Sequence, residues 1–344
     1  MSDLTSPSPL SPLWPRLRPW TVGLVTLALL ALIGTLSPAQ GSETLHFAAA
    51  ALLSIAPFLV GSAAMAAWVL ASGADAMISR AFTGHPTRMI LLAAVLGALS
   101  PFCSCGVVPI IAALLVMGVP LAPIMAFWLA SPIMDPEMFL ITWGVLGLEF
   151  AIAKTVAAIG LGIFGGTVVQ LLGARLGTEV LRDQASCGSC SARATAKGKK
   201  AIVWSFWREA PRRAVFLRNF GLTLRFLAQW LALAFVLESL MLAFVPAELI
   251  ATQLGGDGIV PILLATLVGV PAYLNGYAAL PLVSGLMEHG LEPGAAMAFL
   301  VAGGVTSIPA AMAVWALVRP RLFAVYIGLS LTGAFLSGLF YSFV

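Results

Sequence analysis

The chain has 344 residues, 60% of them hydrophobic and only 9% charged, with a formal net charge of +4 and a mean hydropathy of +1.01. No soluble core absorbs so much apolar surface, so the composition excludes a water-soluble domain and identifies an all-α integral membrane protein. The positive charge is modest and gathered in one segment, which gives no reason to expect a nucleic-acid partner.

Arg16 and Arg18 precede an apolar run from Thr21 to about Leu36. Ser37-Pro38-Ala39-Gln40 offers a cleavage region of the signal-peptide kind, but the amount of membrane domain that follows favours a retained first helix. A second run, about Leu45 to Ser72, ends in Asp75, Arg80, His85 and Arg88. The third, Met89 to Met117, is interrupted by Ser100-Pro101-Phe102-Cys103-Ser104-Cys105-Gly106-Val107-Val108-Pro109. Prolines at both ends remove backbone donors and Gly106 loosens the chain between them, so a continuous helix is not expected here. Irregular backbone at membrane depth is tolerated only inside protein or beside a water-filled cavity, which makes Cys103 and Cys105 lining residues. Further runs cover about Leu121–Leu148, broken at Ser131-Pro132 and Asp135-Pro136, and Phe150–Leu172.

Between Arg175 and Arg225 basic residues collect: Arg182, Arg193, Lys197, Lys199, Lys200, Arg208, Arg212, Arg213 and Arg218. The positive-inside rule makes this segment cytoplasmic. Its first part reads as flexible, and its second, with Val203, Trp204, Phe206 and Trp207, suits a helix lying at the lipid interface. Cys187 and Cys190 supply two soft ligands for a metal or a thiol exchange, whereas a closed zinc site needs four; a loop that merely contains two thiols fits equally. Four cysteines in two close pairs do not form a secreted disulfide framework. Apolar runs resume at about Leu222–Val245, Val260–Met287, Gly294–Val318 and Leu322–Phe343.

Shifted by 172 residues, the chain lands on itself. Pro109 meets Pro281 (281 − 109 = 172), Gly97 meets Gly269, Gly118 meets Gly290, and Met125-Ala126-Phe127 falls on Met297-Ala298-Phe299. The loop holding Arg80 and Arg88 corresponds to one around Glu248 and Asp257 without Lys or Arg, and the acidic turn at Glu149 corresponds to Arg319-Pro320-Arg321. Opposite charge at equivalent turns predicts an inverted-topology repeat with broken or re-entrant helices, the hairpins being Ile90–Met117 and Ile262–Glu288. The predicted organisation is a tail and first helix (1–46), a first repeat (47–175), the basic loop (176–221) and a second repeat (222–344).

Inverted repeats with broken helices carry the substrate site where the breaks face one another. The predicted breaks are Cys103–Gly106, Ser131–Asp135, Asn275–Ala278 and Gly303–Ser307. Asp135 and its counterpart Ser307 are favoured helix N-caps, each closely followed by proline, so two half-helices are expected to begin centrally with their positive ends open to an anionic or thiolate-bound species. Each candidate has a plainer reading: cysteines as small buried hydrophobes, Asp135 as a cap alone, Asn275 as a turn residue. An acidic residue at this depth costs about 2.5–3.5 kcal/mol on insertion scales, which keeps a functional or proton-carrying role for Asp135 open beside the cap reading. Lys154 and Glu238 are assigned no role, and His289 reads as an exposed loop residue.

Pro101-Phe102-Cys103-Ser104-Cys105-Gly106-Val107-Val108-Pro109 resembles the hallmark of the predicted permeases grouped with ArsP organoarsenical efflux proteins and YraQ-like permeases. Pro271-Ala272-Tyr273-Leu274-Asn275-Gly276 and Ala302-Gly303-Gly304-Val305-Thr306-Ser307-Ile308-Pro309-Ala310 resemble the second-half signatures. The resemblance spans about Ala50 to the C-terminus apart from the basic loop. It implies a multi-pass permease of the bacterial inner membrane that exports trivalent organoarsenicals, or copper or zinc in some relatives. Many of those carry Asn near the position of Asp135, and some have a longer Cys/His-rich loop than this chain.

The reading that follows is a permease exporting a thiophilic solute, a trivalent arsenical or soft metal species, by alternating access. Cys103 and Cys105 act as soft ligands, and Ser104, Asp135, Asn275, Thr306 and Ser307 complete the site. No phosphate-binding G-x-x-x-x-G-K-[ST] loop occurs, no cofactor is expected, and proton exchange at Asp135 is the default coupling. The expected partners are the lipid bilayer and, at Cys187 and Cys190, a thioredoxin-like or metal-delivery protein. The competing classes are a membrane thiol oxidoreductase and a sulfur-anion permease working through helix ends.

Overall fold

Hydrocarbon offers no hydrogen bonds, so each apolar run satisfies its own backbone as a helix. The computed structural model describes residues 20–72, 85–100, 104–116, 118–176, 206–244, 258–272, 276–288 and 290–343. Among them are thirteen α-helices and no strands. They are α1 (Thr21–Leu36), α2 (Pro38–Ser72), α3 (Pro86–Ala98), α4 (Ser104–Val116), α5 (Leu121–Ala130), α6 (Pro136–Leu146) and α7 (Leu148–Leu176). After a short 3-10 turn at Phe206–Arg208 come α8 (Ala210–Phe244), α9 (Ile259–Ala272), α10 (Gly276–Glu288), α11 (Pro293–Thr306), α12 (Ile308–Leu317) and α13 (Pro320–Tyr341).

Four stretches among the described residues are long and apolar enough to cross a bilayer: Leu148–Gly173, Ala210–Leu240, Pro293–Leu317 and Pro320–Tyr341. α2 makes a fifth if counted whole, since it bends by 43° between Pro57 and Leu59. Proline removes one helical hydrogen bond and its ring clashes with the preceding turn, which accounts for the bend. With 16 residues, α1 is shorter than these spans; it packs on α2 and α8, with Arg225 5.3 Å over the Trp20 ring.

The 172-residue offset reappears in the helices. α2 and α8 have 35 residues each and start at Pro38 and Ala210 (210 − 38 = 172). α4 and α10 have 13 each and start at Ser104 and Gly276. Several equivalent helices take equivalent neighbours, although α2 packs on α4 whereas α8 packs on α12. α3 packs on α5 and α7 as α9 packs on α11 and α13, α5 on α7 as α11 on α13, and α4 on α12 as α10 on α6. The glycines explain the closest of these approaches. A Cβ on Gly97 would stand 2.7 Å from the Phe127 carbonyl oxygen, and one on Gly269 2.8 Å from that of Phe299, so only glycine lets α3 and α9 sit this near their partners. Gly118 and Gly290 turn the chain into α5 and α11 with φ of +80° and +96°, a left-handed geometry that favours glycine.

Two pairs of equivalent helices lie side by side and antiparallel. Near the start of α8, Arg212 donates to the Ala71 and Ser72 carbonyls at the end of α2 (3.2 and 3.0 Å), while Ser239 Oγ near the other end donates to Thr44 Oγ1 at 3.1 Å. Along α7 and α13, Phe150 meets Tyr341, Leu161 meets Gly333 and Gly165 meets Leu329.

Several expected boundaries move. The chain is helical from Ser104 through Pro109 to Val116, so Ser104, Cys105 and Gly106 open α4 and are not part of an irregular stretch. Likewise Gly276 and Ala278 belong to α10, and Gly303 and Gly304 to α11, which leaves Ser307 alone between α11 and α12. A single internal proline removes one donor, and completing the other backbone bonds outweighs that loss where water is absent. The Ser131–Asp135 break is present as expected. α2 starts at Pro38, a residue suited to the first helical position, and α8 starts at Ala210, twelve residues before the apolar run, because long basic side chains are good helix formers. Cys103, Asn275, Cys187, Cys190, Val203, Trp204 and His289 lie outside the described residues.

Candidate functional site

Four short helices, α4, α6, α10 and α12, pack crosswise between the halves, α4 with α12 and α6 with α10, and of these α6 and α12 follow breaks among the described residues. The α5–α6 break is built from the end of α5 outward. Ser131 still bonds helically to Phe127 O (3.1 Å) and is buried, but its hydroxyl has no hydrogen-bond partner among the described residues. Asp135 is extended, and its Oδ1 accepts from Met138 N at 2.7 Å, closing the first turn of α6. Pro136 at the first position and Glu137 in the first turn complete an N-terminus adapted to the helix dipole. Asp135 is half-buried.

The α11–α12 break is smaller and drier. Ser307 bridges the helices through its backbone, its N–H reaching Gly303 O at 2.9 Å and its carbonyl accepting from Ala311 N at 2.8 Å. Its hydroxyl makes no cap bond, unlike Asp135. Thr306 is fully buried and donates its hydroxyl to Ala302 O at 2.6 Å, which leaves only its lone pairs for a solute. Tyr326 Oη donates to Val305 O at 3.0 Å, just before the break, and its ring lies 5.3 Å from that of Trp128 on α5.

Of the expected site residues, Asp135, Thr306 and Ser307 therefore stand at breaks, and the backbones of Ser104 and Cys105 open the half-helix packed on α12. Among the described residues no three His, Cys, Asp or Glu side chains gather as a metal site. The sequence reading passed over Lys154. It lies on α7, fully buried, with Nζ lacking a hydrogen-bond partner among the described residues. The available signal was a lone ammonium inside an apolar span, which is costly enough to mark a functional residue by default. Glu238 on α8 is also buried with Oε2 unpartnered among the described residues.

Long apolar helices packed with shorter ones that cross between the halves define a multi-pass helical membrane protein. The chain belongs to the ArsP_1 family of predicted permeases, whose model matches residues 41–343. It is similar to the UPF0718 protein MJ0584 of Methanocaldococcus jannaschii, at 22% identity over 318 residues, 78% of this chain and 87% of the relative. It is also similar to the UPF0718 protein YcgR of Bacillus subtilis, at 30% identity over 101 residues, 29% of this chain and 34% of the relative. No solved structure matches the chain. The protein is a membrane permease, a class that acts on small-molecule substrates.

Proposed function

We propose that the permease exports a thiophilic solute, a trivalent organoarsenical or a soft metal species, by alternating access across a bacterial inner membrane, with the loop 176–221 in the cytoplasm. The observation that carries this reading is that Ser104 and Cys105, which follow Cys103 in the sequence, open α4, one of the four short helices that pack across the halves. Thiolates at Cys103 and Cys105 bind a soft centre, and Ser104, Asp135, Asn275, Thr306 and Ser307 contribute harder ligands around it. Asp135 carries the exchanged proton. Repeats 47–175 and 222–344 rock against each other with inverted topology. The antiparallel course of α2 with α8 and of α7 with α13 supports this, because equivalent helices of parallel repeats run in the same direction.

Uptake of methylarsenite, copper(I), zinc and thiosulfate into everted vesicles tests the substrate. Methylarsenite or copper should accumulate, and Cys103→Ser or Cys105→Ser should lower accumulation roughly tenfold or more, since soft centres prefer sulfur to a hydroxyl. Full activity of the double serine variant removes the soft-ligand mechanism. Thiosulfate uptake independent of both thiols would favour an anion permease, and disulfide exchange without net transport would favour a thiol oxidoreductase.

A further inference from the structure

Lys154, Ala158, Gly162 and Gly166 follow one another at intervals of four along α7 and form one ridge that turns by about 40° at each step. Gly162 and Gly166 of that ridge lie on α5. A Cβ on Gly166 would stand 3.1 Å from Ala122 O, and one on Gly162 would stand 2.7 Å from Ala126 O and 3.0 Å from the Ala130 Cβ. Stepping from Gly166 to Gly162 thus moves toward the end of α5. Two further steps reach Lys154, at the level where α5 has ended and the chain runs through the break before α6. The second half repeats the stripe as Tyr326, Ser330, Ala334 and Gly338, and Gly338 packs on Gly294 of α11. There the residue in the place of Lys154 is Tyr326, which bonds Val305 O beside its own break. This position on the scaffold is therefore one from which a side chain reaches a break.

In the first half that side chain is an ammonium, sealed from solvent and without a hydrogen bond among the described residues. Burying a charge is unfavourable unless another group compensates it. Asp135 caps α6, which packs on α7, yet Lys154 Nζ makes no hydrogen bond to it in this conformation, and Oδ1 of Asp135 accepts from Met138 N. The other titratable groups on the elements packed against α7 are Arg88 on α3, Glu137 on α6, and Arg321, Tyr326 and Tyr341 on α13; α5 and α11 carry none. α7 itself adds Glu149, next to the Phe150 that meets Tyr341, and Arg175 near its far end, while α10, packed on α6, carries Tyr277 and Glu288.

We propose that Lys154 and Asp135 form the proton-coupling pair of the permease, the ammonium binding the carboxylate when it is ionised and releasing it when it is protonated. This deepens the export reading and rests on it for the substrate alone. With Asp135 ionised, Oδ2 accepts from Lys154 Nζ and draws α7 onto the break. A proton from water on one side converts the carboxylate to the acid, the pair opens, and the break is freed to change its access. Loss of that proton to water on the other side restores the pair. One O–H bond forms and breaks per cycle, and no oxidant or reductant is needed.

The test is a double-mutant cycle on the full-length protein in detergent, joined to methylarsenite transport in proteoliposomes from pH 6 to 9. Asp135→Asn keeps an oxygen for the α6 cap but strands the ammonium, so the melting temperature should fall, by about 4 °C. Lys154→Met in that background should recover the loss, whereas Lys154→Met alone should leave the melting temperature unchanged or higher, so the two effects are not additive. Transport by Lys154→Met should lose its pH dependence, and Lys154→Arg should retain it. Additive melting shifts, or a wild-type pH profile in Lys154→Met, overturn the proposal. If wild-type vesicles move no methylarsenite, the substrate reading fails while the melting cycle still decides the pair.

Discussion

In the first half of the molecule the side chain at the break is Lys154, without a hydrogen bond among the described residues; in the second half it is Tyr326, bonded to Val305 O at 3.0 Å. The caps differ in the same sense, with Asp135 bonding Met138 N and Ser307 making no cap bond. Beneath these differences the backbones agree, down to Gly97 on Phe127 O and Gly269 on Phe299 O. What the halves share is therefore scaffold, set by close helix packing. What they do not share is the polar equipment of the breaks, with the Asp135 carboxylate at the first and the Tyr326 hydrogen bond beside the second.

The most severe way to break the comparison is to remove what the halves have in common. Gly97→Val and Gly269→Val should each destabilise by about 3 kcal/mol or prevent folding, because the added carbon meets a backbone oxygen that cannot yield. Equal loss of monodisperse protein in the two variants is the expected result, and a loss confined to one half would show that the frames are not equivalent. Next comes Arg212→Gln, which gives α8 the residue α2 has at the equivalent position, Gln40. Losing the charged donor to Ala71 O and Ser72 O should cost about 2 kcal/mol of thermal stability in detergent.

Tyr326→Phe sharpens the contrast between the breaks. It leaves the Val305 carbonyl without this donor and should cost about 1.5 kcal/mol, read from the same unfolding measurement, while leaving the pH dependence of transport intact. The smallest effect separates the caps. In a Lys154→Met background, which removes the charge pair, Asp135→Ala should cost about 1 kcal/mol, whereas Ser307→Ala should cost less, because only Asp135 makes a side-chain cap bond.

Much of the frame was legible along the chain. Apolar runs marked the helices, the paired glycines marked the 172-residue offset, and Asp135-Pro136 marked a helix start that the structure retains. Reading Ser104–Gly106 and Gly276–Ala278 as irregular gave too much weight to Pro109 and Gly106. Backbone satisfaction in hydrocarbon extends helices across single prolines and glycines, so α4 and α10 begin at Ser104 and Gly276. The thiol pair at Cys187 and Cys190 was read from spacing alone and lies outside the described residues.

By itself the sequence determined the features that depend on near neighbours: membrane character, helical backbone, the glycine turns at Gly118 and Gly290, and the cap at Asp135. Local composition and one turn of chain suffice for each of these. Only the tertiary structure decided that α2 and α8 run antiparallel, and that Lys154 continues the stripe packed on α5 to the level of its end. Those facts depend on which helices touch and on the small residues that let them approach. A lysine alone in an apolar run has no fixed meaning until a distant part of the chain supplies its carboxylate.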